Sequence, residues 1–275
     1  VHGISGNYFL DAESGQEVMM NEPHLLRAPT LFAAFAAQGA KIVVITAKDK
    51  LRRLLGHGLN MAEGNHVCFS AEHADQVTRE RNGISDTLSL TGMAVPSVYS
   101  AALSEFVFAA GVKLLTAHSP DLMYLSTTDY VQHKHAPGAG PANEFYAMMD
   151  GYLATLDAAG ATIAITADHG MNAKHDENGN ANVVYLQDCL NNEVATTTKV
   201  ILPITDPYVV HHGALGSFAT VYVTGATNLE EAVNCLAAQP GVAEVLLKAD
   251  AAERFELPAD RLGDLVVISD KSYTL

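Results

Sequence analysis

The sequence contains no tryptophan and few basic residues. Lysine and arginine together number 16 against 31 acidic residues, which gives a formal net charge of −15. This excess of negative charge disfavours contacts with the phosphate backbone of nucleic acid, and it leaves no polybasic patch for an anionic membrane surface. We therefore predict no nucleic acid and no membrane among the partners. A ligand that carries phosphate must be held by a few local lysines or by bound metal.

Cysteine is scarce as well, with three residues at Cys68, Cys189 and Cys235. They are widely separated and form no CxxC pair, which argues against both a disulfide framework and a thiolate zinc site. We interpret them as buried thiols of a reducing compartment, and we predict a cytoplasmic location.

Long apolar runs are also lacking. No stretch approaches the roughly 18 apolar residues that span a bilayer, and no charged-then-apolar signal peptide opens the chain. The sequence begins with Val1 and not with methionine. We therefore expect the natural N-terminus, with any targeting segment, to lie upstream.

The chain does contain enough apolar sequence for a large core, with 48% hydrophobic residues over 275 positions. Apolar runs at 41 to 46, 122 to 127 and 162 to 167 predict buried strands. Helical patterns at 30 to 38 and 141 to 160 alternate with them. Strand, crossover helix and strand is the order found in a parallel sheet with helices on its faces. The sequence therefore predicts an α/β fold.

The last hundred residues have a different pattern, with short strands and one helix that predict a smaller α+β unit. These elements are expected at 219 to 223, 228 to 237, 243 to 248 and 264 to 269. A loop-rich segment, 187 to 217, connects them to the rest. We predict a metal-binding α/β core over residues 1–190 and an α+β cap or insert over residues 191–275.

Acid and imidazole side chains follow two of the predicted parallel strands. Asp129 and His133 come after the run at 122 to 127, and Asp168 with His169 comes after the run at 162 to 167. Ligand sites of open parallel sheets lie beyond the carboxyl ends of the strands. Residues four apart on a helical turn share one face, and carboxylate and imidazole suit zinc, manganese or iron.

Each of the two motifs also has an ordinary structural interpretation. A single DxxxH is most often a solvated helical turn, and DHG is typical of a turn in which aspartate caps the backbone and glycine supplies a positive φ. Their joint placement at two strand ends, each with one Asp and one His, favours half of a two-metal site.

Three phrases of the sequence carry a resemblance to a known family: HGISGN (2 to 7), STTDYVQHKH (126 to 135) and TADHGMNAKHDENGNANVVYL (166 to 186). They resemble the alkaline phosphatase superfamily, in its branch of type I phosphodiesterases and nucleotide pyrophosphatases, and within that branch the members that act on phosphonoacetate. The resemblance runs over nearly the whole chain. It implies an alkaline-phosphatase-like parallel sheet flanked by helices.

Carried over by position, the resemblance implies two zinc ions (Zn2+), with Mn2+ or Fe2+ as alternatives. Asp129 and His133 would be ligands of one ion, and Asp168 and His169 would hold the other. Asn7 would donate a hydrogen bond to a phosphoryl oxygen of the substrate.

The resemblance also suggests residues that bind the other end of the substrate. Lys48 and Lys50 are expected to meet the carboxylate and the phosphonate group. His211 and His212 are weaker candidates, because adjacent residues of an extended stretch point in opposite directions and at most one would face the site.

The chain departs from the family pattern at both ends. Members place a metal-binding aspartate and a threonine nucleophile upstream of the HGI motif, and a further zinc-binding histidine downstream of the segment that matches DLVVISDKSYTL. We expect this chain to be a fragment that holds four of the six protein ligands and no catalytic nucleophile.

For the intact protein, the resemblance implies zinc-dependent hydrolysis of the C–P bond of phosphonoacetate, a small-molecule phosphonate, to acetate and phosphate. One alternative is a nucleotide pyrophosphatase, phosphodiesterase or phosphomutase. An enzyme that binds nucleotides needs aromatic side chains against which the base can stack. The chain has no tryptophan, and Tyr8 and Phe9 are the possible substitutes. Another alternative is a non-catalytic fragment that binds metal or phosphate. The sequence leaves a monomer and a homodimer open.

Overall fold

The computed structural model describes residues 2–194, 197–203, 216–224 and 229–275. The chain forms two compact units, Pro29–Met171 and the combination of Val1–Ala28 with Asn172–Leu275. This division differs from the predicted one at residues 190 and 191. The first residues join the C-terminal part because the buried Arg261 guanidinium donates to the carbonyls of Gly3 and Leu25.

The secondary structure follows the chain in the order β1 (Tyr8–Leu10), β2 (Glu17–Met19), α1 (Leu31–Ala36), β3 (Ile42–Thr46), α2 (Asp49–Leu55), β4 (His66–Ser70), α3 (Arg79–Asn82), α4 (Thr87–Thr91), α5 (Ala101–His118), β5 (Leu122–Ser126), α6 (Tyr130–Lys134), α7 (Gly140–Ala158), α8 (Leu186–Glu193), β6 (Thr197–Ile201), β7 (Phe218–Thr224), α9 (Leu229–Ala237), β8 (Val242–Leu247), α10 (Lys248–Arg254) and β9 (Leu265–Ser269).

A parallel sheet forms the centre of the Pro29–Met171 unit. Its strands have the order β4-β3-β5, and Thr46 pairs with both Ser70 and Ser126, so the three strands end at the same level. Every residue of β3 and β4 is buried, as the apolar run at 41 to 46 predicts. The predicted α/β arrangement is present, and the common strand end is where a site is expected.

Helix α5 covers one face of this sheet. Phe106, Val107 and Leu114 pack against Ile45 and Phe69 of the strands, and each large side chain buried in this way contributes about 1.5–3 kcal/mol of transfer free energy. By length and composition alone, α5 is apolar enough to cross a bilayer, but half of it is buried in this core. The expectation that no stretch approaches this length was therefore wrong, and α5 acts here as a core helix.

The strand predicted at 162 to 167 is absent. These residues are exposed, with Ile163 at 37% and Ile165 at 74% of their full accessibility. No backbone hydrogen bond joins them to another described residue. An apolar run signals burial only when a neighbouring strand pairs with it, and β5 is hydrogen-bonded to β3 alone among the described strands. The buried-strand prediction is therefore wrong here.

The second unit contains an antiparallel sheet with the order β6-β7-β9-β8, which α8 and α9 cover. The strands predicted at 219 to 223, 243 to 248 and 264 to 269 are confirmed, as is the described part of the helix at 228 to 237. The loop interpretation of 187 to 217 was wrong in part, because α8 and β6 lie inside it and bury Leu190 and Ile201.

The three cysteines are free thiols. Cys68 and Cys235 are buried as predicted, and Cys189 is half-buried. Burial raises the pKa of the Cys68 thiol to about 12 and that of Cys235 to about 11, so both stay protonated and unreactive at neutral pH.

Candidate metal site and lysine pair

The first acid and imidazole pair lies just beyond the end of β5. Asp129 is the residue before the first residue of α6, and the backbone of His133 donates to the Asp129 carbonyl in the first helical turn at 3.0 Å. An aspartate at this position usually caps the helix, but this side chain makes no capping bond. Its Oδ2 atom lies 2.9 Å from His133 Nε2. The hydrogen bond from His133 lowers the pKa of the Asp129 carboxyl against the opposing effect of partial burial.

A buried serine fixes the loop that carries Asp129. Ser104 of α5 is fully buried, and its hydroxyl accepts a hydrogen bond from the Thr128 backbone N–H at 3.1 Å. The hydroxyl also lies 3.4 Å from the Thr128 carbonyl. Sequence analysis did not identify this residue. The available signal was a polar side chain inside the apolar run of a helix, which needs a partner when it is buried.

The second pair lies on the exposed segment after α7. His169 Nε2 is 3.7 Å from Asp168 Oδ2 and 3.8 Å from Asp129 Oδ2. His169 Nδ1 lies 2.9 Å from the Gly170 carbonyl. A carbonyl only accepts, so Nδ1 carries the proton of the neutral ring and Nε2 keeps a lone pair. The structure thus brings the two predicted pairs together.

The geometry of the four side chains fits the predicted zinc chemistry. Ligand atoms about 2.0–2.1 Å from a tetrahedral zinc lie about 3.4 Å from each other, and the donor atoms within the two pairs lie 2.9 and 3.7 Å apart, on either side of that value. In the described part of the chain, no three His, Cys, Asp or Glu side chains are grouped to hold one ion. The donors therefore fit two half-sites with two protein ligands each, and their role as zinc ligands stays a prediction.

The lysine pair lies beyond the end of β3. Lys48 Nζ lies 5.6 Å from the centre of the Tyr99 ring, and that ring lies 6.3 Å from the ring of Tyr130, the first residue of α6. Lys48 is thus linked through the rings of Tyr99 and Tyr130 to α6, the helix that carries His133. Burial, and then repulsion from Lys48, lowers the pKa of Lys50.

The remaining predicted residues belong to the other unit. Asn7 is half-buried, and its backbone N–H donates to the Pro203 carbonyl at 2.8 Å. His211 and His212 lie outside the described residues. Phe9 is buried with Met20 and Leu25, so it does not offer a face to a nucleotide base.

A cavity of about 600 Å³ lies beside α6, between α5 and α7. Its lining includes Tyr130, Lys134, Glu105 and Glu144, and it includes none of the four acid and imidazole residues. The four predicted metal ligands therefore lie outside this cavity, with their side chains partly or largely exposed.

The chain matches the type I phosphodiesterase / nucleotide pyrophosphatase family over residues 1–275 and belongs to it. Its fold is also that of the phosphonoacetate hydrolase from Sinorhizobium meliloti 1021, whose crystal structures contain phosphonoformate or phosphonoacetate. In both cases the sequences are 57% identical, the TM-score is 0.96, and the match covers 100% of this chain and 67% of the other. The family and the α/β fold class predicted from the sequence are confirmed.

A more distant similarity extends to mammalian proteins. Murine ectonucleotide pyrophosphatase/phosphodiesterase 5, as an inactive variant in complex with AMP, is 15% identical with a TM-score of 0.58, and the match covers 99% of this chain and 64% of the other. At this identity only the fold is shared.

Proposed function

We propose that the intact protein containing this chain is a hydrolase that cleaves the C–P bond of phosphonoacetate to give acetate and phosphate. The 57% identity to a phosphonoacetate hydrolase over the whole chain carries this proposal. The convergence of Asp129, His133 and His169 supports it, because such donors bind the metal ions used in phosphoryl transfer.

In this proposal, Asp129 and His133 would hold one zinc ion, and Asp168 and His169 the other. A zinc pair supplies Lewis-acid stabilisation of the negative charge on the phosphoryl oxygens. Zinc is proposed because the family resemblance implies it, and carboxylate and imidazole donors suit zinc as well as manganese or iron. The nucleophile would be the threonine that the family resemblance places outside residues 1–275.

The lysine pair would recognise the carboxylate end of the substrate. Cleavage of the C–P bond leaves an electron pair on carbon, and the neighbouring carboxylate can accept this charge in an enolate-like form before the carbon is protonated. Lys48 and Lys50 would neutralise that charge, and their interaction would strengthen as the bond breaks. Asn7, and one of His211 and His212, remain proposed contacts of the substrate.

Nucleotide hydrolysis is the less favoured alternative. The chain has no tryptophan, and burial of Phe9 removes one of the two aromatic residues suggested for a base slot. Metal binding by this chain without turnover is the second candidate, and the exposure of 90% of the Asp168 side chain favours weak and exchangeable binding in it. The three free thiols support a cytoplasmic location as a proposal, and the homodimer stays a prediction.

The decisive test is phosphate release by the full-length natural protein supplied with zinc. We expect hydrolysis of phosphonoacetate to exceed cleavage of an aryl phosphodiester, and we expect a chelator to abolish both. Lys48→Ala and Lys50→Ala should lower turnover of phosphonoacetate and leave the phosphodiester rate nearly unchanged, with the exposed Lys113→Ala as the control. An unchanged ratio of the two activities in both variants would show that the lysines do not select the substrate.

A further inference from the structure

Side chains of Arg52, in the same helix, and of Ser70, at the end of β4, hold the acid between the two lysines. Asp49 Oδ1 accepts hydrogen bonds from Arg52 Nε and, at 2.9 Å, from the Ser70 hydroxyl at the end of β4. Arg52 Nη2 donates to Asp49 Oδ2 at 3.1 Å. Burial raises the pKa of Asp49, but the bonds and charge of Arg52 outweigh it and the pKa is lowered. The carboxylate is therefore ionised and fixed in orientation.

The backbone around this carboxylate is also fixed. The Asp49 N–H donates to Glu72 Oε2 at 2.8 Å, and the Thr46 hydroxyl donates to the Lys48 carbonyl at 2.8 Å. The Glu72 N–H in turn donates to the Ala47 carbonyl at 3.0 Å. Bonds from β3 and from the segment after β4 thus hold the start of α2 on both sides.

This rigidity has a consequence for the two cations. Lys48 and Lys50 flank Asp49 at the start of a helix, and the repulsion between them contributes to the lowered pKa of Lys50. On a mobile loop, two such ammonium groups would move apart, because like charges repel most strongly where solvent is partly excluded. The start of α2, which is hydrogen-bonded to β3 and to the segment after β4, resists this movement. It therefore keeps the two ammonium groups near each other for a ligand with several negative charges.

We propose that Asp49, held by Arg52 and Ser70, is a positioning residue that fixes Lys48 and Lys50 for the carboxylate end of the substrate. The inference rests on the proposed function, since it needs a substrate with a carboxylate beside the phosphoryl group. In this proposal the Asp49 carboxylate bonds to Arg52 and Ser70 and not to the substrate. It would therefore act indirectly, by fixing the backbone from which the Lys48 and Lys50 side chains extend.

The test compares two substrates in the full-length protein. Asp49→Asn should lower kcat/KM for phosphonoacetate by about 10- to 100-fold, the loss typical when a group that orients a ligand-binding residue is removed. Ser70→Ala should lower it by roughly threefold, the net value of one hydrogen bond. Cleavage of an aryl phosphodiester should change less than about twofold in both variants. Asp86→Asn, an acid-to-amide change at the start of α4, is the matched control.

A second measurement detects binding of phosphonoacetate independently of its hydrolysis. Phosphonoacetate should protect Lys48 and Lys50 from acetylation in the wild-type protein, and this protection should be lost in Asp49→Asn, with Lys113 as the reference in each mass spectrum. If Asp49→Asn does not fold, the comparison of the two substrates and the acetylation measurement are both made on Ser70→Ala.

The outcomes separate this proposal from the proposed function. Equal losses on both substrates, or full protection in the variants, would overturn the positioning role and leave the proposed function intact. A wild-type protein that neither hydrolyses phosphonoacetate nor is protected by it would overturn both.

Discussion

The two halves of the candidate metal site are built in different ways. Asp129 and His133 share one helical turn at the end of a paired strand, and Ser104 holds the loop before them. Asp168 and His169 lie on an exposed segment that no described strand pairs with, and 90% of the Asp168 side chain is exposed. We therefore expect the first half to be preorganised for an ion and the second half to lose conformational freedom if it binds one.

We therefore expect the two halves, although matched in chemistry, to differ in binding energy. Ordering one backbone residue costs about 1–2 kcal/mol, so an ion bound by the second half would lose part of its binding energy to ordering. Asp129 Oδ2 also lies near the second half, 3.8 Å from His169 Nε2 and 2.9 Å from His133 Nε2.

The largest expected effect comes from Asp129→Ala. It removes a donor that faces both imidazoles, and we expect the zinc affinity to fall by about 100-fold or more, since even the partners of metal ligands are worth about 10- to 100-fold. Asp168→Ala should cost roughly tenfold. Competition with a chromogenic chelator measures both, and Asp75→Ala, an exposed acid of the same unit, is the control. Equal losses of zinc affinity in Asp129→Ala and Asp168→Ala would contradict the proposed difference between the two halves of the site.

A zinc titration of the 275-residue chain should resolve two affinities that differ by about tenfold, which corresponds to about 1.4 kcal/mol. Each half supplies two protein ligands, so elemental analysis after gel filtration should find fewer than two ions per chain. Two tightly held ions would mean that further residues complete both halves.

Ser104→Ala tests the preorganisation of the first half. The variant leaves the partly buried Thr128 N–H without its partner, and we expect the free energy of unfolding to fall by about 1 kcal/mol. Zinc affinity should fall more in the half formed by Asp129 and His133 than in the half formed by Asp168 and His169. Ser100→Ala removes an exposed hydrogen bond to the Ser97 carbonyl and should change stability by less than about 0.5 kcal/mol. Urea unfolding of the two variants provides the measurement.

The smallest effect concerns pH in the absence of metal. The pKa of Asp129 is lowered in the folded state, so its ionisation stabilises the fold above the unfolded value of about 3.9 and loses this effect as pH falls through the folded pKa. The carboxylate is half exposed, so the effect is small. Urea midpoints of wild type and Asp129→Asn should differ above pH 4 and converge in more acidic solution. A constant difference would contradict the pairing with His133.

Local patterns predicted β3 and the placement of His133 beside Asp129. Residues 42 to 46 of the run at 41 to 46 are all buried, and the four-residue spacing of Asp129 and His133 is a property of any helical turn. Neither prediction needs information about distant segments. The Ser104 contact could not be predicted in this way, because its partner lies 24 positions along the chain.

The errors also have physical causes. The run at 162 to 167 has the composition of a buried strand, but burial depends on a neighbour that a single segment does not specify. Helix α8 has the sequence LQDCLNNE, in which asparagine and aspartate favour turns. Burial of Leu186 and Leu190 against the antiparallel sheet outweighs that preference.

We expect the exposed segment from Thr162 to Ala167 to affect how the chain behaves in concentrated solution. Its side chains are mostly apolar, and its backbone groups make no hydrogen bond to another described residue. Such a segment is a template on which a strand of a second molecule can pair. Two opposing effects then act between molecules: the charge of −15 causes repulsion, and pairing through these six residues causes attraction. Added salt screens the charge, so we expect it to promote association.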